Sequence, residues 1–414
     1  MTGINETELV ALPKDWEIKH LKDIILDSVG GGTPSTKVKA YWDGDINWTT
    51  SKRLSDKLYL MDGEKRISNQ ALESTSTKLV PSGNVIVSTR VTVGKAMVNK
   101  IDIAISQDLT GLLIDKQHYL PEFVAYHLKT EQIQSIFESQ KRGATIKGIT
   151  REDLGNIPLL CPPFSEQGKI VRVLWLIQSA IETQEKIIQT TTELKKALMQ
   201  KLFTEGLKGE PQKETEIGLV PKSWQVVELG DVCIQRKEAF TPTTNGKGRY
   251  VGLEHIQTGE FRLPSYGNES EVRSAKYKFY EEDILYGKLR PYLDKAVLVD
   301  ISGICSTDII VLRGNERLLQ TYSIGLVHTN KFVEYAKRTT SGVNHPRTSW
   351  NSLKKFRFGL PTIKEQKEIG LVLHQLTNKI ENNQSRKKVL QSLFKSMLHH
   401  LMTGQIRVKD LKVS

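Results

Sequence analysis

Leu12-Pro13-Lys14-Asp15-Trp16, near the start of the chain, is written again as Val220-Pro221-Lys222-Ser223-Trp224. Its surroundings repeat in the same order. Glu6-Thr7-Glu8 and Leu21-Lys22-Asp23-Ile24 flank the first copy; Glu214-Thr215-Glu216 and Leu229-Gly230-Asp231-Val232 flank the second, all 208 positions on. Arg90, Lys95-Ala96, Ser106 and Asp108 recur at a shift of 200 as Arg290, Lys295-Ala296, Ser306 and Asp308. Leu154, Pro162 and Glu166-Gln167 recur at a shift of 199 as Leu353, Pro361 and Glu365-Gln366. The drift from 208 to 199 puts about nine extra residues in the first copy, most of them between Asp23 and Arg90. A period near 200 is the size of a domain and far exceeds a solenoid unit. The chain therefore reads as two related halves, each an irregular domain followed by a long helix.

The helices are the clearest local signal. Pro162-Pro163 closes the first irregular domain, Ser165 reads as an N-cap, and no proline interrupts Glu166–Thr204. A 3–4 spacing runs through Ile170, Leu174, Ile177, Ile181, Gln184, Ile188, Thr191, Lys195, Leu198 and Leu202. Its counterpart, shifted by 199, is Ile369, Leu373, Leu376, Ile380, Asn383, Lys387, Leu390, Phe394, Met397 and Leu401. Thr362-Ile363-Lys364-Glu365 has the pattern of a capping box before that second helix, Ile363–Thr403. A 3.5-residue period held this long indicates a coiled coil. Two equivalent halves pair most simply about a two-fold axis, which makes the helices antiparallel partners and the chain internally pseudo-two-fold. Such a rod holds two binding surfaces at fixed separation, and on duplex DNA it predicts two half-sites with an unread spacer.

The domains before the helices have mixed composition. Val85-Ile86-Val87, Leu112-Leu113-Ile114, Ala296–Val299 and Ile309–Leu312 read as buried strands, and Pro121–Ser139 and Thr329–Lys337 as helical. The fold class is α+β: two homologous mixed domains joined by two long helices. Loops rich in cationic and amide side chains punctuate the strands. The first domain offers Thr49, Thr50, Ser51, Lys52 and Arg53, then Arg90, Gln107, Lys141 and Arg142 in the run to Gly143-Ala144-Thr145. The second offers Arg249, Tyr250, Lys288, Arg290, Thr307, Arg338, Asn344, His345 and Arg347. Arg and Lys neutralise phosphate or fork onto guanine, Asn and Gln pair with adenine, and Ser and Thr serve either. The same side chains also suit solvated loops, and Ser-x-Asp also caps turns.

Net charge supports the nucleic-acid reading. The 414 residues carry a formal +12 and a pI of about 9.3, which suits a polyanion. Cys161, Cys233 and Cys305 are far apart and form no metal or disulfide pattern, as expected for a reducing cytoplasm. Met1-Thr2-Gly3-Ile4-Asn5-Glu6 lacks the basic and apolar runs of a signal peptide, and no apolar stretch is long enough to span a membrane. Enzyme signatures are missing too. No Asn/Asp-Pro-Pro-aromatic run is present to hold an extruded base, and Gly246-Lys247-Gly248-Arg249 lacks phosphate-loop spacing. Gly30-Gly31-Gly32 runs into Thr33-Pro34 without a strand–loop–helix frame. His399-His400, adjacent on a helix, point to different faces. Neither metal nor cofactor is expected.

Several stretches resemble specificity subunits of type I restriction-modification systems. Gly31-Gly32-Thr33-Pro34-Ser35 with Ile46–Lys52, and Tyr250–Ile256, are similar to the opening of that family's target-recognition domains. Leu289–Ala296 with Gly303–Asp308 resembles their middle, and Ile157–Gln167 and Leu360–Gln366 their junctions with conserved helices. In the first copy Val91-Thr92-Val93 stands where the second has Pro291-Tyr292-Leu293. The resemblance implies target-recognition domains at 1–163 and 217–361, helical regions at 164–206 and 362–404, a linker at 207–216 and a tail at 405–414. It implies a non-catalytic subunit that binds double-stranded DNA, each domain reading half of an asymmetric bipartite site. It further implies two modification subunits that methylate adenine with S-adenosylmethionine, joined by restriction subunits that use ATP and Mg2+. On the residues alone, a stand-alone DNA-binding regulator and a coiled-coil scaffold remain the alternatives.

Overall fold

The computed structural model describes residues 12–143 and 147–410. Glu6-Thr7-Glu8, the N-terminal stretch expected not to be a signal peptide, and Ala144 and Thr145 lie outside the described residues. The chain divides into two compact units that do not follow chain order: one takes the chain to Gln184 and resumes at Arg386, and the other is Glu185–Ser385. Each unit thus contains one irregular domain and one half of each long helix.

In the first unit, a five-stranded sheet has the order Ile25–Gly30, Leu109–Ile114, Val85–Ser88, Ala96–Asn99, Tyr59–Leu60. A four-stranded sheet has the order Lys65–Ile67, Ile46–Thr49, Ile103–Ile105, Lys78–Val80. Most pairings are antiparallel, but Ile46–Thr49 runs parallel to Ile103–Ile105. The second unit repeats the plan. Cys233–Arg236, Ile309–Gly314, Ile284–Gly287 and Ala296–Leu298 form one sheet in that order. In its other sheet, Arg249–Val251 again runs parallel to Gly303–Cys305. Of the apolar runs read as strands, Val85–Val87, Leu112–Ile114 and Ile309–Leu312 lie in central strands and Ala296–Leu298 is an edge strand; Val85–Val87 is fully buried, as expected for a strand covered on both faces. The first helical stretch is two helices, Pro121–Leu128 and Glu131–Gln140, and its counterparts are Gln320–Val327 and Asn330–Arg338.

The long helices span Phe164–Leu202 and Ile363–Met402. The first begins one residue before Ser165, so Ser165 lies in its first turn and does not cap it; the Pro163 carbonyl accepts from Glu166 and Gln167 N–H. In the first unit, Ile170 and Leu174 share one core with Leu398, Leu401 and Met402 and with Phe123, Leu154 and Leu159 of the domain. In the second, Met199 and Leu202 share a core with Ile369 and Leu373 and with Val227, Tyr322 and Leu353. The start of each helix therefore packs beside the end of the other, and they run antiparallel. Each such fully buried apolar side chain contributes roughly 1.5–3 kcal/mol. At polar seam positions, Asn383 is buried with its amide donating to the Lys379 carbonyl.

The repeated tryptophan and Glu-Gln pair form one device in each unit. Trp16 Nε1–H donates to Glu166 Oε2 at 3.3 Å, and Trp224 Nε1–H to Glu365 Oε2 at 3.1 Å. Gln167 accepts from Leu120 N–H and donates to the His118 and Pro162 carbonyls. Gln366 does the same with Leu319, Arg317 and Pro361. Each glutamate also receives the chain leaving the other helix: Glu365 accepts from Leu207 N–H at 3.0 Å, and Glu166 from Val408 N–H at 3.3 Å and Arg407 Nε at 2.8 Å. Gly206 and Gly404 turn the helix ends with φ near +70°, a conformation that favours glycine. A Cβ on Gly206 would meet Glu365 Oε1 at 2.7 Å, so the close approach also needs glycine.

Candidate nucleic-acid interface

Backbone hydrogen bonds gather the candidate loops into one cluster per unit. In the first unit, Ser106 N–H donates to the Thr49 carbonyl, Thr89 N–H to Asp108, and Ile149 N–H to Thr89, all within 3.0 Å. Arg142 and Gly148 exchange bonds of 2.8 and 2.9 Å. In the second, Ser306 N–H donates to Val251, Lys288 N–H to Asp308 and Thr348 N–H to Lys288, again within 3.0 Å. Ser341 and Arg347 close the matching loop with two bonds of 2.9 Å. The strand ends thus place residues 49–53, 90, 107 and 142 together, and likewise 250, 288–290, 307 and 344–347. Ser106 and Ser306 are turn residues: each Oγ accepts from the N–H of the aspartate two residues on.

Within these clusters the side chains divide. Thr49 and Ser51 are buried, while Lys52 and Arg53 are exposed. Thr50 donates to Glu64 at 2.6 Å and accepts from Lys52 N–H, capping a short 3-10 turn. Arg53 pairs with Asp62, Lys141 with Glu138, and Arg142 with Asp153. Gln107 accepts from the Thr33 hydroxyl. Arg90, Arg290, Thr307, Asn344 and His345 stand exposed. Arg249 lies over the Tyr266 ring, and burial pushes the Tyr250 phenol above its usual range. Arg338, at the end of its helix, donates to the Glu334 carbonyl beside the hydroxyl pair Thr339–Thr348.

Arg90 and Arg290 do not share a backbone position. Arg90 bridges Gly148, whereas Leu289 bridges Arg347. Arg290 instead matches Val91, and both are left-handed, with φ of 50° and 65°. A one-residue insertion before Lys295 moves the shared arginine out of register. Sequence reading had also passed over Asp308 as a partner. Arg347 Nε and Nη2 donate to its two carboxylate oxygens at 2.9 and 3.2 Å, and Lys288 Nζ lies 4.0 Å away. The Arg347 guanidinium holds the Asp308 carboxyl below its usual range. The recurrence of Asp108 and Asp308 was the available signal.

Other stretches are accounted for structurally. The Gly246–Gly248 loop wraps a carboxylate of its own chain, Glu269, through Thr243 N–H and Gly248 N–H at 3.0 and 3.2 Å. The three cysteines are buried, and desolvation pushes each thiol up to about 12. His399 meets Gln132 and His400 meets Gln405. Among the described residues no cluster of His, Cys, Asp or Glu is placed to hold a metal ion, and no helix is long and apolar enough to cross a membrane. A cavity of about 380 Å³ opens in the second unit beside Lys195, Phe261, Asp294 and His328.

A mixed domain presenting a polar loop cluster, written twice and carried on two antiparallel helices, defines a class of recognition subunit. The sequence matches the family described as the type I restriction modification DNA specificity domain over residues 13–193 and again over 221–392. The chain belongs to that family: it is a DNA specificity subunit, a non-catalytic component of a type I restriction-modification enzyme. It is similar to the type I restriction enzyme MjaIX specificity subunit of Methanocaldococcus jannaschii, with 26% identity covering 99% of this chain and 98% of that one. The EcoDI specificity subunit of Escherichia coli is 25% identical over 61% of this chain and 62% of its own length. The crystal structure of the S subunit from M. genitalium shares the fold, with a TM-score of 0.62 at 14% identity, covering 97% of this chain and 99% of that one. A structure titled for complex assembly and conformational transition of the type I system gives 0.53 at 16% identity, covering 95% and 99%.

Proposed function

We propose that each mixed domain, taken as residues 1–163 and 217–361, reads one half of an asymmetric bipartite site on double-stranded DNA. The paired helices set the length of the unread spacer. The observation that carries this reading is the recurrence of one loop cluster in both units, on domains whose repeated tryptophan meets a glutamate that also receives the chain leaving the other long helix. A reader on a rigid mount delivers fixed spacing; a reader on a loose one does not. Base recognition is assigned to the loop residues singled out above, with the exposed Lys52, Arg90 and Arg290 the most available for phosphate or base edges.

Catalysis belongs to partners in this reading. Two modification subunits bind the helical regions and methylate adenine using S-adenosylmethionine, and restriction subunits that consume ATP with Mg2+ join them. The test is to purify the chain with its modification subunit and map methylated adenines on plasmid DNA. A two-part motif with a fixed gap supports the reading. A contiguous motif, or methylation without sequence preference, overturns it.

A further inference from the structure

The Arg347–Asp308 pair has a geometry that a simple surface ion pair does not need. Asp308 grips the guanidinium along its side edge, through Nε and Nη2. A third N–H, on Nη1, reaches the His345 carbonyl at 3.4 Å. Guanidinium carries five N–H donors in a fixed fork, so one remains on each terminal nitrogen. The side chain stays 42% exposed, in the middle of the second unit's loop cluster.

Its mount is rigid. The Arg347 backbone is paired with Ser341, and its neighbours are bonded on both sides: Arg290 N–H to the Pro346 carbonyl at 2.7 Å and Thr348 N–H to Lys288 at 3.0 Å. The Asp308 backbone is fixed as well, because its N–H is held by Ser306 Oγ and its carbonyl by Lys288 N–H. An arginine so held has lost its rotamer freedom before DNA arrives, which removes an ordering cost from binding. The two free donors match the O6 and N7 acceptors that guanine presents in the major groove.

We propose that Arg347 reads a guanine in the half-site of the second domain, with Asp308 as its positioning residue. This rests on the bipartite reading above. It also predicts an asymmetry, because the place of Arg347 is taken by Gly148 in the first unit. The first domain has no side chain there and reads its half-site by other residues.

The experiment uses the complex of the full chain with its modification subunit, and duplexes carrying the mapped site. Each guanine of the second half-site is replaced in turn by 7-deazaguanine, which lacks N7. Wild type loses affinity at one position, by roughly five- to hundredfold. Arg347→Lys keeps the charge but replaces the planar fork with a point ammonium, and its deaza penalty at that position is smaller than that of wild type. Asp308→Asn weakens discrimination at that one base pair more than it weakens binding to unrelated DNA. Thermal unfolding of both variants separates these losses from misfolding. The proposal is overturned if no guanine shows a deaza effect that Arg347→Lys diminishes, or if Arg347→Lys weakens all sequences equally. A complex that shows no two-part site at all fails earlier, at the mapping step, and sinks the parent reading with it.

Discussion

Trp224 and Glu365 lie 141 positions apart in sequence, and the indole N–H of one donates to a buried carboxylate oxygen of the other at 3.1 Å. The other oxygen of Glu365 accepts from Leu207 N–H, just past the end of the first long helix. One carboxylate therefore binds the start of a domain, the start of one helix and the exit of the other. The same junction recurs around Trp16 and Glu166, with Arg407 and Val408 as the incoming chain.

Removing this carboxylate leaves the buried Trp224 indole N–H and the part-buried Leu207 N–H without their acceptors. Glu365→Ala is expected to destabilise the second unit by about 1–3 kcal/mol for the buried indole donor, with a smaller addition for the Leu207 N–H, which solvent can partly satisfy. Glu365→Gln retains an acceptor and is expected to cost less, about 1 kcal/mol. Urea unfolding followed by Trp fluorescence measures both, and equal losses would contradict the assigned role.

In the first unit the junction is ionic. Glu166 and Asp15 both have lowered pKa values. Hydrogen bonds from Arg407 are the leading cause for Asp15; for Glu166 burial is the largest single influence and raises it, but the hydrogen bonds and charge of Arg407, with the bonds from Trp16 and Val408, together more than offset it. A depressed folded-state carboxylate contributes stability above its unfolded value, 4.5 for Glu166, and loses it as pH falls toward the folded value. The unfolded chain binds more protons in that window, so stability falls on acidification. Arg407→Met should lower stability at neutral pH and flatten the acid limb below about pH 4.5 in a series of denaturation midpoints.

Lys195 carries the opposite sign. It is buried at a seam position, its ammonium 3.5 Å from the centre of the Phe261 ring, and desolvation lowers its pKa to about 8. The matching residue of the second helix is Phe394, packed near Tyr126. Between about pH 8 and the unfolded value of 10.5, the unfolded chain holds a proton that the folded chain has released. Stability therefore rises with pH across this window. Lys195→Met should raise stability at pH 7 by about 1–3 kcal/mol and abolish the alkaline rise. A variant less stable at pH 7 would show that the cation is needed there.

Arg90→Ala and Arg290→Ala separate two kinds of contact. A base-reading arginine is expected to cost about 1–3 kcal/mol and relax one position of one half-site. A phosphate-binding one weakens all sequences together and lowers the salt slope by about one. Competition binding at several salt concentrations distinguishes them. Unchanged binding in both variants would favour a scaffold without DNA contacts.

Much of the fold was legible because its signals are local or periodic. A seam such as Ile170, Leu174, Ile369 and Leu373 states its partner face directly, and the constant shift of 199 ties the helices to one another. Sheet order was not legible. The parallel pairing of Ile46–Thr49 with Ile103–Ile105 joins residues more than fifty positions apart, and nothing near either strand specifies it. The loop residues were found as a group but not sorted, since alternation in Thr49-Thr50-Ser51-Lys52 decides which side chains turn inward. Identity matching misled at Arg90 and Arg290, where an inserted residue breaks the register that backbone bridges reveal. The repeated tryptophan and glutamate were conspicuous as text, yet their contact spans a whole domain and became readable only in three dimensions.

The central claim is that the helices fix the distance between two readings of DNA. The most direct measurement is affinity of the complex for duplexes in which both half-sites stay constant and the spacer changes by single base pairs. A sharp optimum at one spacer is expected. Inserting one heptad into both helices adds about 10 Å of rise and should move that optimum to a longer spacer with both half-sites unchanged. A flat dependence on spacer length, or an optimum that the inserted heptads fail to move, would contradict the account.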